Sequence, residues 1–397
     1  MEFKISEVKT GQDVREFMAL SLSIYQSDPH WIRPIDRDIE SVFDPKRNKT
    51  YSHGRLVRWI AKDETGKTVG RIAAFVNDRT TTKGNDQPTG GIGFFETVEN
   101  EKLAHGLFEQ AQSWLASQGM QAMDGPINFG ERDKWWGLLI EGFDQSPNYQ
   151  SNYHPSYYQK FFESYGFKPY FYQLTFGRKV VGPVSDRIGE KSRSALQNPS
   201  FKFAPASGLK TDALSTLIQT VYNKAWAGRE EIPEITHEAA LHLVKQMKPI
   251  LDPELMWFAY DGESPIGFFL CVPEVNQIFK FVNGKLDLLG KIKFLFHKYF
   301  GANHKALGLL FGVVPQYHGQ GVDGALIEAF RIHHETKKKY QEIELNWVAD
   351  FNGKMIKLCE QINTKVVKRH VTYRKLFNEN APFKRFREPY VFGEPTL

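Results

Sequence analysis

Residues 313–327 read VVPQYHGQGVDGALI: a short apolar run, two glycines one residue apart, then apolar positions at helical spacing. The pattern predicts a strand, a tight loop and a helix that begins just after Gly321. Glycines let a backbone approach an anion, and a helix N-terminus offers unpaired N–H groups and a favourable dipole. Three readings stay open on these residues alone: a phosphate cradle for a nucleotide, a cradle for another phosphate ligand, or a tight turn with no ligand. GQGVDG at 319–324 matches GxGxxG, with Glu342 and Glu344 about 20 residues on, as a dinucleotide site requires. Against that, Pro315 to His318 separate the apolar run from the first glycine, and too little chain remains to complete a doubly wound sheet. No Gly-Lys-Ser/Thr follows, which excludes a P-loop.

Upstream of this loop the chain repeats itself. WIAKDETGKTVGRIAAFVN (59–77) and WFAYDGESPIGFFLCVPEVN (257–276) each run apolar strand, polar turn, apolar strand, so each predicts a β-hairpin. The two start at Trp59 and Trp257, about half a chain apart, which points to internal duplication. A helical period follows in both halves, through Leu103, Leu107, Phe108 and Ala111 in one and Val322, Leu326, Ala329 and Phe330 in the other. A strand, a second helix and a last strand complete each half. Residues 178–200 lack a clear period and carry Gly, Pro and Ser. The expected division is therefore 1–180, a linker at 181–200, and 201–397, with an insert at 277–303.

VVPQYHGQGVDGAL resembles the Gln/Arg-x-x-Gly-x-Gly/Ala signature of the GNAT N-acetyltransferases, with Gln316, Gly319 and Gly321 in the signature positions. Asn352, followed by Met355 and Leu358, is similar to the family's Asn-x-x-Ala/Met helix. The resemblance implies an α/β fold of two tandem GNAT-like (acyl-CoA N-acyltransferase) domains, each a mixed, mostly antiparallel sheet flanked by helices. It implies acetyl-CoA or another acyl-CoA as cofactor, its pyrophosphate held by Val313, Val314, Gln316, Tyr317, His318, Gly319, Gln320, Gly321 and Val322. Asn352 and Met355 would lie along the pantetheine arm. The implied reaction is direct transfer of the acyl group to an amine in a ternary complex, with a small-molecule or peptide acceptor. The N-terminal half reads ETVENEK where the loop should be, and its Glu96, Glu99 and Glu101 would repel a pyrophosphate. That half is expected to be a degenerate copy without the cofactor.

Catalytic residues are less legible. Strand alternation puts Glu344 and Asn346 on one face, so Glu344 is a candidate base, with a structural salt bridge as the competing role. Glu230, Glu231 and Glu234 are rivals on a loop. Many GNAT enzymes place a thiolate-protonating Tyr seven residues after the helix Asn; here that position is Cys359, whose competing role is core packing. Tyr373, on the last strand, is the alternative donor. Two other readings share the fold: a non-catalytic acyl-CoA-binding or regulatory protein, and an aminoacyl-tRNA-dependent transferase.

Composition bounds the rest. A net charge of +5 over 397 residues gives little support to nucleic-acid binding. Two cysteines, Cys271 and Cys359, exclude a disulfide scaffold or a Cys-based zinc site and fit a reducing compartment. No metal is expected. No apolar run approaches the length of a membrane span, and the first residues lack a signal-peptide core, so the expected location is cytoplasmic. The insert carries five lysines (Lys280, Lys285, Lys291, Lys293, Lys298) with apolar residues at helical spacing. Such a helix either lies on a membrane or caps a pocket with its lysines outward; the tether between two strands favours the cap.

Overall fold

Both predicted hairpins are present in the computed structural model, which describes residues 2–182, 186–226, 233–301 and 303–391. In the first, Asp63 makes the turn by accepting the N–H groups of Thr65 and Lys67 on one carboxylate oxygen. The N-terminal half runs β1 (Phe3–Glu7), α1 (Gly11–Ile24), α2 (Asp36–Phe43), β2 (Gly54–Asp63), β3 (Thr68–Asn77), β4 (Thr89–Thr97), α3 (Glu101–Ser117), β5 (Ala122–Gly125), a short β6 (Leu138–Glu141), α4 (Tyr157–Ser164) and β7 (Lys168–Lys179). A connecting helix, α5 (Asp186–Gln197), follows. The C-terminal half runs β8 (Phe201–Pro205), α6 (Thr211–Ala225), α7 (His237–Met247), β9 (Met256–Asp261), β10 (Ser264–Pro273), α8 (Asn276–Val282), α9 (Leu288–Tyr299), β11 (Lys305–Val313), α10 (Val322–Lys337), β12 (Glu342–Ala349), α11 (Gly353–Gln361) and β13 (Lys365–Leu376).

The duplication is visible element by element: β2–β3 matches β9–β10, α3 matches α10, β5 matches β12, α4 matches α11, and β7 matches β13. All strands join one sheet, ordered β1-β2-β3-β4-β5-β13-β7-β12-β11-β10-β9-β8, with β6 beside β13. The last strands are exchanged. β7 pairs with β12 of the second half, and β13 pairs with β5 of the first. Four strand pairings thus cross the expected boundary at 181–200: β7 with β12, and β13 with β5, β6 and β7. Sequence alternation shows that β7 and β13 are strands but does not say which neighbour each takes.

One face of this sheet is apolar and covered. α3 and α4 pack there over β3, β4, β5 and Val371 and Tyr373 of β13, and α10 and α11 over β9 to β12. Leu107, Phe108, Leu326 and Ile356 are fully buried, each contributing roughly 1.5–3 kcal/mol by leaving water. On the other face, α1 and α2 cover the N-terminal hairpin, and α6 and α7 cover β9 and β10. Between them the central strands present polar side chains: Glu344, Asn346, Thr175, Gln173, Lys368, His370 and Thr372. Residues 126–156 cross this floor and meet much of it, leaving the Gln173 Oε1 buried without a partner. Asn148 donates to Glu344 (2.7 Å), Trp136 to Thr372 (3.0 Å), and His370 to the Asn152 carbonyl (3.0 Å).

Candidate functional site

The opening stretch folds as its pattern predicts. β11 ends at Val313, a short 3-10 turn takes Pro315–Tyr317, and α10 begins at Val322. Gly319 and Gly321 both adopt the left-handed backbone (φ +78° and +81°). Three side chains brace the loop. His318 Nε2 donates to the Val313 carbonyl (2.8 Å), Tyr317 Oη to Asp261 (2.9 Å), and Gln320 Nε2 to the Gln316 carbonyl (2.9 Å). Gln316, Gly319 and Gln320 are exposed, and Val313, Val314 and Val322 are buried beneath them. The first turn of α10 has N–H groups that the helix itself cannot satisfy. Asp323 takes one of them, accepting the Gly324 N–H (2.9 Å), and the braced loop is exposed at Gly319 and Gln320.

Behind the loop, β11 and β12 run parallel and pair only over Lys305–Gly308 with Glu342–Leu345. Past that point they part. Each strand is irregular where they separate. In β11, Leu310 faces Leu270 and Gly308 faces Cys271, so Leu309 is the extra residue of a bulge; it is 46% exposed. In β12 the register with β7 shifts between Leu345 and Val348, and Trp347 takes φ +65°. Its indole N–H is buried with no hydrogen-bond partner. The result is a V-shaped gap with a bulged strand on each side, leading to the glycine loop.

The corresponding gap in the N-terminal half is closed. β4 and β5 pair over Thr89–Gly91 and Ala122–Asp124 and then diverge, but the chain itself fills the space. Ile127 N donates to the Ile92 carbonyl (2.7 Å), and a Cβ on Gly93 would lie 2.0 Å from the Ile127 carbonyl oxygen. The helix end there is capped by its own sequence: Asn100 accepts the Leu103 N–H (2.9 Å). Glu101, beside it, pairs with Lys160. A side-chain cap and an acidic residue at that end make it a poorer anion site than a glycine loop.

The remaining candidates scatter. Asn352 caps α11, accepting the Met355 N–H (3.3 Å), and Met355 packs on the core beneath β12. Cys359 is fully buried in that core; burial pushes its thiol up to about 12. Tyr373 lies on the part of β13 that pairs with β5, stacked on Phe162 and donating to Glu163 (2.8 Å), so it belongs to the core of the other half. Glu344 is buried between two lysines: Oε1 accepts from Lys305 (2.5 Å), and Oε2 from Lys368 (2.7 Å) and Asn148. Burial alone would raise this carboxyl, but the two ammonium groups outweigh it and hold it at about 2. A carboxylate so paired is a poor base at neutral pH. Glu234 is exposed; Glu230 and Glu231 lie outside the described residues.

Two features were missed. The expected linker contains α5, whose Ser192 and Ala195 are buried and which packs along α10. A Cβ on Gly321 would lie 2.3 Å from the Lys191 carbonyl oxygen, so α5 forms one wall of the loop and brings the exposed Lys191 to it. The small, spaced residues of SRSA were the available signal. The second is a small pocket of about 60 Å³, lined by Trp31, Ile35, Arg71, Glu96, Asn152 and His154 among others from the N-terminal half and by Asn276 from the C-terminal half.

The same arrangement recurs in solved structures of low sequence identity. A tandem GNAT protein from the clavulanic acid biosynthesis pathway aligns over 96% of this chain and all of its own, at TM-score 0.52 and 10% identity. The glucosamine N-acetyltransferase region of a fungal multi-domain beta-N-acetylglucosaminidase aligns over 94% of this chain at TM-score 0.52 and 12% identity, and this chain spans 38% of that protein. The chain is a tandem GNAT-fold protein. Its N-terminal half carries ETVENEK where the C-terminal half has the Gly319–Gly321 loop. No family model matches the sequence. Among curated proteins it is 24% identical over 379 residues to "Bacterial ceramide synthase" of Caulobacter vibrioides (strain NA1000 / CB15N), covering 94% of this chain and 97% of that one. It is 25% identical over 376 residues to "Protein YghO" of Escherichia coli (strain K12), covering 91% and 93%.

Proposed function

We propose that the C-terminal half binds an acyl-CoA and transfers its acyl group to the amine of an amphipathic, lipid-like acceptor. The observation that carries this is the gap between β11 and β12, opening at the Leu309 bulge and leading to the Gly319–Gly321 loop. In this reading the loop N–H groups and the α10 N-terminus hold the pyrophosphate, Lys191 adds a cation, and the pantetheine arm lies in the gap. The extra residue of a bulge is left out of the ladder, so backbone at Leu309 is free to donate to the thioester oxygen. The amine nitrogen attacks the thioester carbonyl carbon, the carbon–sulfur bond breaks, and the amine's proton leaves to solvent as the CoA thiolate departs. A thiol with a reference pKa of about 8.5 is a tolerable leaving group without a dedicated acid. Glu344 serves the fold, not proton transfer.

A lipid-like acceptor is supported by the side walls of the gap. Tyr222, Trp226 and Leu310 are partly buried apolar residues packed on the α6–α7 core beside the bulge, and Leu309 projects outward. These surfaces suit alkyl chains. The name of the Caulobacter relative, a ceramide synthase, agrees with an amide formed on a long-chain amino alcohol.

The test is thiol release from acetyl-CoA and palmitoyl-CoA with a panel of amines running from amino acids to long-chain amino alcohols. Turnover confined to the amphipathic amines, and loss of CoA affinity in Gln320→Glu by calorimetry, is the expected result. CoA affinity unchanged by Gln320→Glu overturns the cofactor placement. Tight CoA binding with no turnover on any amine favours a non-catalytic binding protein.

A further inference from the structure

The insert at 277–303 does not take the expected geometry. α8 buries Ile278, Phe279 and Val282 as a cap would, but the apolar face of α9 points away from the protein. Along α9, Leu288, Leu289, Ile292, Leu295, Phe296 and Tyr299 are 50–76% exposed. Phe300, just beyond, is 77% exposed. Eight of the fifteen exposed large apolar side chains of the described residues fall within 281–300. Scattered apolar residues are ordinary on a surface, but a cluster of this size marks an interaction site. The helix is held from its other side: Gly290 is buried, Phe294 packs on Phe279 (5.4 Å), His297 stacks on Phe281 (3.7 Å) and Lys298 donates to the Pro249 carbonyl. Asp287 caps its start by accepting the Gly290 N–H (2.8 Å).

We propose that α9 is a docking helix that seats in the headgroup region of an anionic lipid bilayer. At 3.6 residues per turn the exposed apolar side chains span an arc of roughly 140°. Lys291 and Lys293, both exposed, stand at its two edges, and Lys280 and Lys285 are exposed on the preceding segment. An apolar stripe flanked by lysines suits a surface that is apolar below and negative at the rim. A second copy of this chain is a poorer fit. A symmetric pair of α9 helices would bring like-charged lysine edges together as the apolar faces met. The helix is twelve residues long, too short to cross a bilayer, so it lies in the interface. The observation stands apart from the cofactor site; if both proposals hold, docking places the chain where a lipid amine resides.

The full-length protein is sedimented with vesicles of phosphatidylcholine alone and with added phosphatidylglycerol, at low and high salt. Binding to the anionic vesicles, weakened by salt, is expected. Ile292→Glu with Phe296→Glu should abolish it. Lys291→Ala with Lys293→Ala should weaken it roughly thirtyfold, equivalent to about 1 kcal/mol per lysine. Because all four side chains are exposed, the melting temperature and CoA affinity should not change, which separates this test from that of the acyl-transfer reading. Failure to bind anionic vesicles overturns the proposal. So does a concentration-dependent dimer abolished by Ile292→Glu with Phe296→Glu in a protein that ignores vesicles, which would make a second copy the occupant.

Discussion

Glu344→Gln separates the two roles that a carboxylate on β12 can have. The substitution keeps the shape and one acceptor but leaves Lys305 and Lys368 facing a neutral group in a site where Glu344 is 4% and Lys368 is 2% exposed. Two estimates bound the loss. The carboxyl is lowered from 4.5 to about 2, and at about 1.4 kcal/mol per pH unit that favours the ionised, paired state by roughly 3 kcal/mol. Removing one partner of a buried pair typically costs about 3–5 kcal/mol. The lower figure is the better guide, because burial holds the Lys368 ammonium below its usual range, so part of the attraction only offsets lysine desolvation. For a cooperative chain of this length, about 3 kcal/mol corresponds to a fall of roughly 4 °C in melting temperature.

The assay is thermal unfolding across pH, beside turnover per folded molecule. A group whose pKa is depressed on folding stabilises above its unfolded pKa and loses that contribution as pH falls through the folded value. The wild-type contribution is therefore complete above about 4.5 and vanishes toward about 2; Glu344→Gln should lower the melting temperature at neutral pH and flatten that acid limb. Adding Lys368→Met should restore part of the stability by removing one uncompensated cation. Turnover should stay within about tenfold of wild type. An unchanged melting temperature together with a thousandfold loss of turnover would refute the structural assignment and return Glu344 to the role of base.

Three further outcomes are expected. Calorimetry should give one CoA per chain, since Ile127 fills the N-terminal gap and Asn100 caps the α3 N-terminus; a stoichiometry of two would contradict this. Cys359→Ala should lower turnover by less than about tenfold, because the thiol is buried and pushed up to about 12; a far larger loss at intact CoA affinity would make it catalytic. His154 and His370 are both held well below 6.5 by burial, to about 3 and about 4. They stay neutral in the fold while the unfolded chain takes up protons below about 6.5, so stability should fall as pH drops from 6.5 toward 4. His370→Asn should shallow that slope in a melting series, and an unchanged slope would remove His370 from the account.

The fold was legible where local chemistry decides it. Both hairpins, the loop at 319–321 and the α10 start rest on turn residues and short-range periodicity, and all lie where those signals place them. The left-handed turn at Gly319 and Gly321 could be read because glycine spacing encodes backbone geometry directly. What the sequence hid is relational. Nothing in KPYFYQLTFGRK or KVVKRHVTYRKL says that β7 and β13 trade halves, yet that exchange sets the fate of two candidates at once. It carries Tyr373 into the core of the N-terminal half, and it brings Lys368 beside Glu344, turning a candidate base into the centre of a buried charge cluster. The insert shows the same limit from the other side. The helical period over 288–299 identified an apolar face, but only the packing of Gly290, Phe294 and His297 shows which way that face points. Among the described residues nothing covers this outward apolar arc, and the lysines on its rim are what favour a negatively charged lipid surface over a second copy.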